Sequence, residues 1–155
     1  MSTLTIQVPV VIGAPPKPKG SLGHVGKNRM VEQVKGSGTW RETVALYARQ
    51  AITKNRWQTT NHAVSVEIHL ALPRKNPRDP FPTNQHTGDI DKHARNILDA
   101  LADAGVYAND SQVVLLQVVK LYAQPDQVHA AVIVVSDAEV TVTTEYSTDN
   151  PDVAP

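Results

Sequence analysis

His62-Ala-Val-Ser-Val-Glu-Ile-His-Leu-Ala-Leu72 alternates with a period of two: Val64, Val66, Ile68 and Leu70 point one way, Ser65, Glu67 and His69 the other. This is the pattern of a half-buried strand, so the chain builds a sheet with a core on one side. Pro73 to Gly88 follows as a long loop rich in Pro, Asn and Arg. Loops of that length within a compact domain are more often functional than connective. From about residue 90 to Ala104 the period becomes helical, with Ile90, Ala94, Ile97, Leu98 and Leu101 on one face and Gly105 as the C-cap. Two more strands are expected at 112–122 and 128–135, joined as a hairpin around Pro125-Asp126. Their nearly unbroken apolar character points to burial on both faces or to a dimer interface.

Towards the N-terminus, Thr39-Trp-Arg-Glu42 has capping-box spacing, and Trp40, Val44, Tyr47 and Ala51 continue as the buried stripe of a first helix. Arg41, Arg49, Lys54 and Arg56 lie largely off that stripe, and both tryptophans, Trp40 and Trp57, read as packing residues. Thr3–Ile12 reads as a first strand, with Pro9 marking an edge or a bulge. Between them, Gly13 to Lys35 is rich in breakers and positive charge and reads as an exposed loop. Its glycines lack the Gly-Lys-Ser/Thr ending of a phosphate-binding loop, so no nucleotide cofactor is expected. The order β-α-β-α-β-β predicts an α+β fold, a small mixed sheet with two helices. Residues 1–137 form one domain; residues 138–155 are an acidic extension, with a short edge strand at 138–146 and a disordered tail.

The 155 residues, 41% hydrophobic and 19% charged, suit one soluble domain. The absence of cysteine excludes disulfides, a thiol nucleophile and thiolate metal sites. No run is long enough to span a bilayer and no basic leader precedes the first strand, so a cytoplasmic protein is expected. The zero net charge conceals a split. Residues 1–95 hold 14 basic and six acidic residues, a balance of +8, whereas residues 96–155 hold one basic and nine acidic, a balance of −8. The basic half points to a polyanionic partner such as nucleic acid; an acidic tail that only offsets a basic body is the ordinary alternative.

Asp89 and Asp91 stand two apart at a helix start, and Asp91, Lys92, Arg95 and Asp99 fall opposite the apolar stripe. Asp110 sits in the turn before the next strand, where the chain can fold back and deliver a third carboxylate. Three carboxylates beside cations match magnesium-dependent phosphodiester cleavage: hard oxygen ligands hold the ion, and a Lys or Arg stabilises charge on the phosphate. The structural alternative is an N-capping Asp and an i,i+4 pair between Arg95 and Asp99. His86 and His93 flank the acidic pair, but His93 lies about 200° around the helix from Asp91 and is badly placed to converge with it.

The stretch Asp89-x-Asp91-Lys92-x-x-Arg95-x-x-x-Asp99-x-Leu101, followed by Asn109-Asp110-Ser111-Gln112-Val113, resembles the signature of the RusA family of Holliday-junction resolvases. The similarity also takes in the first strand with Pro15-Pro-Lys-Pro-Lys19, the Trp40 helix and Val118-Val-Lys120, and so covers most of residues 3–135. It implies a homodimeric, Mg2+-dependent endodeoxyribonuclease, with Mn2+ as the substitute ion. Such an enzyme binds four-way DNA junctions and nicks opposing strands symmetrically, and it is typically carried by a phage or prophage in a bacterial host. By position, Asp89, Asp91 and Asp110 are then the metal ligands. Arg95 takes the basic catalytic position, usually Lys, and Lys92 replaces a common Asn. Asn109 stands where the family has the first residue of an Asp-Asp pair, and Gly88 where some members have a basic residue.

DNA contact is assigned to two basic segments, Lys17, Lys19, Lys27 and Arg29 in the N-terminal loop and Arg74, Lys75 and Arg78 in the loop before the acidic cluster. Phe81 is a candidate wedge between bases at the junction centre, with packing against the loop base as the alternative. Asn109 and Arg95 motivate a second hypothesis, a catalytically weak or inactive branched-DNA-binding protein. A metal-dependent phosphohydrolase of small phosphoesters is a third, and the +8 half of the chain speaks against it.

Overall fold

The computed structural model describes residues 2–20, 22–25, 29–32 and 34–139. Along the chain come β1 (Thr3–Pro9), β2 (Leu22–Val25), β3 (Arg29–Glu32), α1 (Ser37–Asn55), β4 (Val64–Leu72), α2 (Ile90–Ala104), β5 (Val113–Tyr122) and β6 (His129–Asp137). Short 3-10 turns occupy Gln85–Thr87 and Asp110–Gln112. Four strands form one mixed sheet in the order β1-β6-β4-β5, and β2 with β3 makes a separate antiparallel pair. The result is the expected α+β fold, a mixed sheet with two helices.

The alternation of β4 sets the register of the core. Val66 lies opposite Val135, Ile68 opposite Ile133 and Leu70 opposite Ala131, and β6 carries these rows on to Leu4, Ile6 and Val8 of β1. All nine side chains are buried. Trp40, Val44 and Ala48 of α1 and Ala94, Ile97 and Leu101 of α2 close over them, each large apolar side chain contributing about 1.5–3 kcal/mol by leaving water. β1 is an edge strand, and its register shifts between Val8 and Pro9, as the proline suggested.

Three expectations are corrected. β5 and β6 do not form a hairpin: β4 lies between them, parallel to β5 and antiparallel to β6. Skipping one strand opens a gap of only about 10 Å, which the Ala123–Val128 link crosses over the end of β4, where Ala123 N donates to Leu72 O at 2.8 Å. The first helix begins at Ser37 after a left-handed Gly36 with no side-chain cap, so Thr39 lies inside it and the capping box does not form. The stretch read as one exposed loop, Gly13 to Lys35, contains β2 and β3. The strand expected at 138–146 and the tail beyond it lie outside the described residues from position 140 onward. Among the described residues, no helix is long and apolar enough to cross a membrane.

Candidate active site

The N-terminal end of α2 is held from below by residues remote in sequence. Lys120 lies opposite Leu70 in β5, and its Nζ donates to Gly88 O at 2.7 Å. Gly88 adopts φ +82°, and a Cβ there would stand 2.6 Å from Pro18 Cγ and 3.1 Å from His93 Nε2, so only glycine fits. His93 is fully buried, and its Nε2 donates to Thr87 O at 2.6 Å, since a carbonyl can only accept. Its Nδ1 is buried without a partner. Burial pushes the imidazole pKa down, with Lys120 and Lys17 acting in the same direction against the Thr87 hydrogen bond and Asp89. His93 is therefore a neutral strut under the corner, turned towards Thr87. The proline-rich segment is stitched to the same helix. Asn96 Nδ2 donates to Lys17 O at 3.0 Å, and Lys19 N donates to Lys92 O at 3.0 Å.

Above this base the helix presents two kinds of aspartate. Asp89 is the N-cap residue, yet its side chain makes no capping bond and is 67% exposed, with Lys92 Nζ at 3.1 Å as its ion-pair partner. Asp91 and Arg95 are also exposed. Asp99, by contrast, is only 17% exposed, and its partners are Lys19 Nζ at 2.5 Å and Arg41 Nη1 at 3.5 Å, not the expected Arg95. Arg41 also grips Asp103 through Nε at 2.6 Å and Nη2 at 2.9 Å, and this hydrogen bonding holds the Asp103 carboxyl below its ordinary pKa. Asp99 and Asp103 thus clamp α1 and the N-terminal segment to α2, whereas Asp89 and Asp91 face outward beside Lys92.

Asp110 lies at the far end of β5. The turn that carries it is closed by a capping box: Asn109 Oδ1 accepts from Ser111 N at 2.9 Å, and Gln112 Oε1 accepts from Asn109 N at 2.9 Å. Asn109 thus has a conformational task in this chain. Tyr107, which donates to Leu98 O at 2.9 Å, anchors the approach to the turn, and burial, then the charges of Asp110 and Asp99, push its hydroxyl pKa up. From Val113 to Lys120 a strand climbs about 23 Å, and Lys120 is the residue that touches Gly88. Asp110 is accordingly on the order of 20 Å from Asp89 within one chain. The expected fold-back does not bring the three carboxylates together. Among the described residues, no group of three His, Cys, Asp or Glu side chains is placed to hold a metal ion.

Lys17 of the first basic segment and Lys75 of the second line the same cavity as Thr87, beside the corner. Arg74, Lys75 and Arg78 are exposed in the β4–α2 loop, with Arg74 lying 5.1 Å above the Tyr122 ring. Phe81, in the same loop, is 57% exposed. Lys17 borders the loop from the other side, and Lys19 is held by Asp99. Arg29 lies in β3, and Lys27 falls outside the described residues. The residue that sequence reasoning undervalued is Lys120. Its signal was available: it is the single basic residue in positions 96–155, alone in an apolar strand.

A small α+β domain with an outward-facing aspartate pair at a helix N-terminus, and Lys17 and Lys75 lining the cavity beside it, has the outline of a nuclease. The profile of the family described as Endodeoxyribonuclease RusA matches residues 13–133, and the chain belongs to that family. Its members are endodeoxyribonucleases that act on branched DNA, the Holliday junction. No curated protein matches the chain closely enough to count as a relative.

Proposed function

We propose that the chain resolves four-way DNA junctions by Mg2+-dependent hydrolysis, as a homodimer that makes paired symmetric nicks. The observation that carries this reading is the outward Asp89–Asp91 pair, set between two basic loops in a chain of this family. Carboxylate oxygens are the donors magnesium takes, but one chain offers only two of the three at this corner. Asp89 and Asp91 hold the ion together with Asp110 of a second copy; Mn2+ is the substitute ion. When bound, the metal supplies charge neutralisation at the phosphate and a more acidic water. In this reading Lys92 gives a proton to the leaving oxygen, and Arg95 takes a two-pronged grip on phosphate oxygens. Lys17, Arg74, Lys75 and Arg78 position the backbone without reading sequence, and exposed Phe81 can wedge between bases.

The edge of β5 supports the dimer. Among the described residues no strand pairs its outer edge, and Val114, Leu115 and Leu116 are 57%, 46% and 43% exposed there, an arrangement that invites pairing with another strand. Two β5 strands antiparallel about a two-fold axis at Leu115 set Val113 opposite Gln117 and bring Asp110 of each copy alongside Lys120 of the other, at the Gly88 corner. The test is to mix two inactive variants, Asp91→Asn and Asp110→Asn. A site shared between copies regains single-strand nicking in the mixed dimer, because one of its two sites is intact. A site made within one chain stays dead in every combination.

The capping task of Asn109 favours a second reading, a branched-DNA-binding protein that cuts weakly or not at all. Junction binding that persists in chelator, with no cleavage under Mg2+ or Mn2+, selects it.

A further inference from the structure

Beside the acidic corner lies a cavity of about 430 Å³, the size of a small-ligand site rather than of a duplex. One wall is the Pro15–Pro18 segment; the other is formed by Leu72, Pro73 and Tyr122. Asn76, Asp79 and Asn84 bring amide and carboxylate groups to its lining, and Lys17 and Lys75 add two cations. Both walls are fixed in advance. Asn96 holds the carbonyl of Lys17, Arg74 lies over the Tyr122 ring, and Thr87 Oγ1 ties the second loop to Pro82 O and Asn84 O at 2.8 and 2.7 Å. Thr87, two residues before Asp89, lines the cavity, so its edge stands no more than about 7.6 Å along the chain from the acidic pair.

We infer that this cavity receives one unstacked nucleotide of the DNA strand, next to the phosphate held at the Asp89–Asp91 corner. The inference rests on the nuclease reading and adds to it a site for the base. The flat pyrrolidine surfaces of the Pro15–Pro18 wall suit the face of a base, amides and a carboxylate suit its hydrogen-bonding edge, and lysines suit the phosphate that follows. A neutral metabolite would leave both lysines of the lining without a counter-charge. Walls already in place remove part of the ordering cost of capturing an extruded base. A base that has lost a stacking neighbour where strands exchange costs less to extrude than one inside a continuous duplex, which ties the cavity to branched rather than linear substrate.

The test uses four-way junctions carrying 2-aminopurine or an abasic nucleotide at each position flanking the nick, with wild type and Asn84→Trp, whose indole fills the cavity. In chelator, wild-type binding should brighten 2-aminopurine at one position, and Asn84→Trp should remove that signal while still binding the junction. In Mg2+, the abasic nucleotide at that position and Asn84→Trp should each slow single-turnover cleavage about tenfold, and together no more than either alone. No position that brightens, a signal that survives Asn84→Trp, or losses that multiply would overturn the inference while leaving the nuclease reading intact. Failure of the wild type to bind or cut junctions overturns that reading itself, and the inference with it.

Discussion

The two halves of α2 carry aspartates on the same helix and put them to opposite uses. Asp99 and Asp103 meet cations delivered by other elements, Lys19 from the N-terminal segment and Arg41 from α1, and so belong to the architecture. Among the described residues, Asp89 meets the helix's own Lys92 and Asp91 is exposed, and the groups that brace their end (Lys120, His93 and Gly88) hold backbone rather than carboxylate. A carboxylate neutralised across elements stabilises the fold. One left facing outward over a rigid backbone is free to take a ligand.

Substitutions can break that comparison. Asp91→Asn should reduce junction cleavage about a thousandfold or more, roughly 4 kcal/mol in the barrier, with the thermal midpoint hardly moved; single-turnover kinetics and calorimetry read the two effects separately. A large loss of stability would place Asp91 with the architectural pair. Gly88→Ala acts on the bracing. Its Cβ meets Pro18 at 2.6 Å with φ at +82°, so it should destabilise by about 1–3 kcal/mol and slow cleavage at least tenfold through displacement of Asp89. Asp99→Ala is the mirror image of Asp91→Asn. Chemical denaturation should show about 1–3 kcal/mol lost, with the folded protein still cutting.

Asp103→Asn is the mildest case. The pair is 36% and 42% exposed, so removing it should cost about 0.2–1 kcal/mol at low salt and less at high salt. The Asp103 carboxyl lies below its ordinary 3.8 when folded, so its contribution is full above that pH and is lost as the pH falls through the folded value. The difference between wild type and variant, measured by denaturation across pH, should therefore shrink below about pH 4. A difference that grows on acidification would contradict the ion pair.

Much of this was legible in the residues. The period of two in β4 and the helical period of 90–104 are local signals, and both elements stand where they were expected, with Gly105 left-handed at the C-cap. Strand partnership is not a local signal. A buried strand and an apolar edge strand read alike, and a six-residue link suits a hairpin as well as a step over β4, so the residues alone suggest a β5–β6 hairpin that the sheet does not contain. The start of α1 was hidden because Ser37 is buried against Asn96, a contact 59 residues away that no capping pattern announces. The candidate site was legible in identity but not in assembly. Asp89, Asp91 and Asp110 stand out by residue type and spacing, yet β5 runs from the Asp110 turn to Lys120 and carries Asp110 away from the other two.

The most direct measurement maps cleavage of a synthetic four-way junction by the wild-type chain in Mg2+, with linear duplex of the same sequence as control. A junction resolvase makes paired nicks at symmetric positions on opposing strands of the junction and cuts the duplex little. Equal cutting of both substrates, or a junction left intact under Mg2+ and Mn2+, would contradict that activity.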